Sequence, residues 1–118
     1  MACPRKLTIA SDRLENALAG KAFLLMDGGM GTLVQQAGLH QVHQNPDLLN
    51  LTHPADIQAI QHRYVEAGSD CITTNTFGSN RLKLEGTGAT VAEVYAAATS
   101  IARAAGAPLV AGDIGPTG

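Results

Sequence analysis

Residues 22–32 read AFLLMDGGMGT: five apolar residues, an aspartate, then three glycines within four positions. An unbroken apolar run of this length suits a short strand covered on both faces, as in a parallel sheet. The next residues look helical as far as Gly38. Strand, glycine-bearing loop and helix in succession form the opening of an α/β unit, and the same pattern returns twice. Residues 70–80, DCITTNTFGSN, and residues 108–118, PLVAGDIGPTG, each run from a short β-prone stretch into a polar loop with glycine.

The segments between these stretches read as helices. Thr52-His53-Pro54 marks a helix start, since proline is tolerated in the first turn, and Ile57, Ile60 and Tyr64 line one face before Gly68. His53 falls in the cap region and His62 on the helix surface. Thr90 and Glu93 have capping-box spacing. Val91, Val94, Tyr95, Ala98, Ile101, Ala102 and Ala105 continue as one amphipathic face ending at Gly106. Ser11 caps a first short helix carrying Leu14, Ala17 and Leu18. Residues 39–51, LHQVHQNPDLLNL, have no clean period and read as a connecting excursion. Residues 80–85 read as a short polar-faced helical piece, with Arg81 and Lys83 on a solvated face. The predicted order is helix, then β-α-β-α-β, with strands near 22–26, 70–74 and 108–112. Helices between successive strands require parallel pairing and right-handed crossovers. Three such strands leave edges unpaired, and a closed eight-unit barrel needs about 250 residues. Residues 1–118 are therefore expected to be the N-terminal part of a larger α/β domain.

The 118 residues are 45% hydrophobic with a net charge of −2. Scattered basic residues give no electrostatic case for nucleic acid. No apolar run reaches the roughly 20 residues of a membrane span, and no secretory signal precedes the first helix, so a cytoplasmic protein without a membrane partner is expected. Cys3 and Cys71 fit neither a disulfide framework nor a paired metal motif, and Cys71 reads as a small buried hydrophobe. The i, i+3 spacing of His40 and His43 is weak grounds for a metal site.

Each of the three loops begins with an acid or amide: Asp27, Asn75 and Asp113. Ligands of parallel α/β folds bind at the carboxyl ends of strands, so these loops are expected to share one polar pocket. Such a pocket suits a zwitterion: a carboxylate takes the ammonium, and glycine N–H groups take the carboxylate. A phosphate loop fits poorly. Val34 stands where a dinucleotide fingerprint needs its third glycine, no Gly-Lys-Ser/Thr is present, and Asp27 would repel phosphate. A plain tight turn is the alternative for Gly28, Gly29 and Gly31.

LLMDGGMGT (24–32), the run from Asn45 to Leu84 containing NPDLLNLTHP and TTNTFGSN, and VAGDIGPTG (110–118) together resemble the homocysteine S-methyltransferase family. The resemblance implies that the chain is the first three βα units of a (β/α)8 TIM barrel. It implies methyl transfer to the thiol of homocysteine, activated by zinc on three cysteines. In the cobalamin-dependent members the donor is methylcobalamin on a separate domain, recharged from methyltetrahydrofolate. Carried over by position, Asp27 holds the substrate ammonium, and the N–H groups of Gly28 and Gly29 meet its carboxylate. Thr32, Asn75 and Thr76 shape the pocket rim, and Asp113 belongs to the same strand-end face. The zinc cysteines of the family lie in later strands, and Cys3 and Cys71 do not match them. No catalytic or metal residue is therefore assigned to this chain, which is expected to be inactive alone. Possible partners are the rest of the barrel and the cobalamin and folate domains. A non-catalytic binding module, or a split-barrel partner of another chain, is the competing expectation. Position 73 is threonine where many members carry glutamate.

Overall fold

The computed structural model describes residues 8–39 and 44–117. His40 and His43, Cys3 and Gly118 lie outside the described residues. The helices are α1 (Asp12–Leu18), α2 (Gly31–Gln36), α3 (Leu49–Thr52), α4 (Pro54–Glu66) and α5 (Val91–Ala104), with a 3-10 turn over Pro46–Leu48. The strands β1 (Cys71–Thr73) and β2 (Leu109–Ala111) pair in parallel, Ile72 opposite Val110.

The helix boundaries reflect local chemistry. Ser11 accepts from the Leu14 N–H at the start of α1, and Pro54 occupies the first turn of α4. The Thr90 hydroxyl accepts from the Glu93 N–H at 3.2 Å while Glu93 accepts from the Thr90 N–H at 3.0 Å. Gly68 and Gly106, at φ +108° and +92°, turn the chain back toward the sheet after α4 and α5. Ile57 and Ile60 of α4 join Ile101 of α5, Leu49 of α3 and Val34 of α2 in one buried cluster. Covering the same sheet, α5 also buries Val94, Ala98 and Ala102.

Three expectations need correction. Residues 22–26 are not a strand buried on both faces. They contribute one parallel bridge, Met26 to Cys71, and Phe23 is 98% exposed. Their inner edge is bonded: Asp70 and Cys71 donate to the Leu25 carbonyl, and Asp27 N–H donates to the Cys71 carbonyl. Their outer edge has no strand beside it among the described residues, so neither a second ladder nor a covering layer extends the bridge. Residues 80–85 form turns rather than a helix. The Asn80 carboxamide takes the Lys83 N–H, and the Thr87 hydroxyl donates to the Leu84 carbonyl; such local side-chain bonds compete with a helical ladder. The described part of 39–51 is structured, not a bare excursion. Asn45 caps the Pro46–Leu48 turn, and Asp47, Leu49 and Asn50 are buried. At the opposite end of the strands, Arg13 of α1 pairs with Asp70, which also accepts from the Leu25 N–H at 2.9 Å.

Candidate functional site

The carboxyl ends of residues 24–26, β1 and β2 open into a cavity of about 800 Å³. Asp27, Gly28, Gly29, Asn75, Thr76 and Asp113 all line it. Thr32 does not: it is exposed on the first turn of α2.

Asp27 is held by the residue opposite. Its Oδ2 accepts from the Thr73 N–H at 3.0 Å and its Oδ1 from the Thr73 hydroxyl at 2.8 Å. Each carboxylate oxygen keeps a further lone pair. Beside it, the N–H groups of Gly28 and Gly29 find no acceptor among the described residues. Tyr64 of α4 fixes this loop from below. Its hydroxyl donates to the Gly29 carbonyl at 2.6 Å, and a Cβ on Gly28 would stand 2.9 Å from that hydroxyl. Glycine at 28 is thus favoured by close approach to the Tyr64 side chain, which a larger residue would have to displace, rather than by an unusual backbone angle.

On the other wall, two threonines tie the second and third loops into a closed ring. Asp113 N–H donates to the Thr74 hydroxyl at 3.0 Å, and the Thr76 hydroxyl donates to the Asp113 carbonyl at 2.8 Å. Thr76 has a single proton, so in the 2.7 Å contact between the two hydroxyls Thr74 is the donor. Tyr95 of α5 adds a second donor to the Asp113 carbonyl. Gly115 packs directly against the Phe77 carbonyl, leaving no room for a Cβ.

Sequence reasoning misses the segment that buttresses this wall. Asn45 donates to the Gly78 carbonyl at 2.8 Å. Asp47, 3% exposed, accepts through Oδ2 from the Gly78 N–H at 2.7 Å and the Ser79 hydroxyl at 2.6 Å. Asn50 donates to the carbonyls of both Asp47 and Asn75, and Asn75 donates to the Pro46 carbonyl. The readable signal is Asn45-Pro46-Asp47, a cap residue with proline next to it at a helical first position. Burial pushes the Asp47 carboxyl above its ordinary value, with Asp113 adding to the rise; Ser79, Gly78 and Lys83 oppose it. Lys83 is exposed, as its reading as a solvated cation expects, and it stands at the cavity's edge with its ammonium 5.5 Å from the Phe77 ring centroid.

The donor set for a metal is different. Among the described residues no group of three or more His, Cys, Asp or Glu side chains could hold an ion. Cys71 is buried, and burial together with the Asp27 charge pushes its thiol up, disfavouring the thiolate a metal needs. The described residues do not fit a three-cysteine zinc site. What they offer is a carboxylate, unpaired N–H groups and a hydroxyl-lined wall, groups whose chemistry suits a small polar molecule. No described helix is long and apolar enough to cross a membrane.

A family model described as homocysteine S-methyltransferase matches residues 24–118. Methionine synthase of Mycobacterium leprae (strain TN) is 42% identical over 59 residues, covering 46% of this chain and 5% of that protein. Among solved structures, the metallated form of the homocysteine methyltransferase MmuM from Escherichia coli superposes with a TM-score of 0.71 at 24% identity. That match covers 86% of this chain and 41% of the MmuM chain, so the present chain spans less than half the length of either relative.

Proposed function

The chain belongs to the homocysteine S-methyltransferase family, and from that premise we propose that its strand-end cavity grips homocysteine by the amino-acid end. The carrying observation is Asp27 standing beside two unpaired N–H groups in one cavity. Asp27 receives the ammonium on the lone pairs that Thr73 leaves open. The Gly28 and Gly29 N–H groups receive the carboxylate. Asn75, Thr76 and Asp113 form the facing wall, and Thr32 has no role in this reading. The substrate thiol is left projecting away from these groups, and none of the described residues activates it.

We further propose that residues 1–118 form the N-terminal part of a (β/α)8 barrel that additional parallel strands complete. Support comes from the outer edges of residues 24–27 and of β2, which have no partner strand among the described residues. The same edges suit a strand from a second polypeptide, the split-barrel alternative. Alone, the chain is expected to transfer methyl groups very weakly or not at all. Metal analysis of the purified chain, with a methyl-transfer assay from methylcobalamin to homocysteine, tests this. The expected result is no tightly bound zinc and no turnover; one equivalent of tight zinc with methionine formation refutes it.

A further inference from the structure

We propose that Asp47 is a positioning residue for the cavity wall formed by Asn75, Thr76 and Phe77, an inference that rests on reading the cavity as an amino-acid site. Both backbone groups of Gly78 are taken by side chains from one segment: its N–H donates to Asp47 and its carbonyl accepts from Asn45. The grip is close, since a Cβ on Gly78 would meet the Asn45 carboxamide oxygen at 3.0 Å. Two donors from consecutive residues converge on the single oxygen Asp47 Oδ2, at 2.7 and 2.6 Å. Hydrogen bonds to an ionised acceptor are the strong kind, and this one is almost wholly removed from water. On its other flank the same wall is fastened to the third loop through Thr76 and the Asp113 carbonyl. Asn75 and Thr76 are therefore held from two sides, and the Asp47 carboxylate is the charged member of the hold. Its segment precedes α4, so Asp47 couples the part of the chain before β1 to the loop after β1. A wall fixed in advance spares a ligand the cost of ordering it.

The test compares wild type, Asp47→Ala and Asp47→Asn by amide NMR, first without ligand and then titrated with L-homocysteine. Alanine removes the shared acceptor; asparagine keeps an oxygen where both donors can reach it. Asp47→Ala is expected to abolish exchange protection of the Gly78 amide and weaken homocysteine binding roughly tenfold. Asp47→Asn is expected to restore both to within about threefold of wild type. The proposal is overturned if Asp47→Ala leaves Gly78 protection and affinity unchanged. It is equally overturned if Asp47→Asn keeps Gly78 protected yet loses affinity as far as alanine does, since the carboxylate would then act on the ligand directly. If wild type binds no homocysteine, the amino-acid reading fails, and the Gly78 and Asn75 amides alone decide the positioning role. Should Asp47→Ala not fold, Ser79→Ala replaces it, removing one of the two donors; it must loosen Ser79 and weaken binding by an intermediate amount, and no change overturns the proposal.

Discussion

Replacing Asn50 by aspartate preserves side-chain shape and removes the one group that donates both ways. Asn50 is 2% exposed, and its Nδ2 donates to the Asp47 carbonyl at 2.8 Å and the Asn75 carbonyl at 2.7 Å. Its own Oδ1 has no partner among the described residues, so the amide's contribution there is carried by those two bonds. A net hydrogen bond contributes about 1 kcal/mol, and a buried carbonyl left unpaired costs about 1 kcal/mol or more beyond that. Two bonds and two carbonyls give an expected loss of about 4 kcal/mol or more near pH 7 for Asn50→Asp. The new carboxyl faces two carbonyl oxygens in a buried place, so its folded pKa lies above the unfolded value of about 3.9. A raised folded pKa means a contribution that is full below the unfolded value and lost as pH rises through the folded one. The neutral acid has one O–H and recovers one of the two bonds. The deficit must therefore shrink toward about pH 4. Urea unfolding monitored by circular dichroism at the two pH values measures it. A variant within about 0.5 kcal/mol of wild type near pH 7, or a deficit that grows in acid, refutes the reasoning.

Gly28→Ala is expected to cost about 1–3 kcal/mol through overpacking against Tyr64, and the cost should fall below about 0.5 kcal/mol in a Tyr64→Ala background, as a double-mutant cycle in urea will read. Thr90→Ala breaks the capping box of α5 and should lower stability by about 1 kcal/mol in the same assay. Asp47 has a folded pKa raised above its ordinary 3.8, so its contribution to stability is full below that value and declines as pH rises through the folded one. Asp47→Asn should flatten that part of the urea-midpoint profile, and an unchanged slope counts against burial as the cause.

Periodicity and capping make the α4 and α5 helices legible, because an apolar face at 3.6-residue spacing and a Thr-x-x-Glu start depend only on neighbours in the chain. The three loops also declare themselves: Asp27, Asn75 and Asp113 share one cavity because parallel strands put their carboxyl ends together. Features set by distant partners are not legible. AFLLM reads as a strand covered on both faces, yet coverage needs neighbours that the sequence window cannot supply. Residues 44–50 look aperiodic because Asp47 and Asn50 are placed by hydrogen bonds to residues 75–79, not by an apolar stripe. Thr74 and Thr76 can be read as strand-end residues, but the ring they close through Asp113 joins positions 37 and 39 residues apart. Lys83 is the solvated cation it reads as, but its place at the cavity's edge depends on the fold and not on its neighbours in the chain.

The most direct test is calorimetric titration of the purified chain with L-homocysteine and with its deamino analogue, 4-mercaptobutanoate, for both wild type and Asp27→Asn. If Asp27 holds the ammonium, wild type binds homocysteine more tightly than the analogue, and Asp27→Asn removes that preference while leaving the weak binding of the analogue unchanged. Equal affinity of wild type for both ligands, or a preference that survives Asp27→Asn, would contradict the central claim.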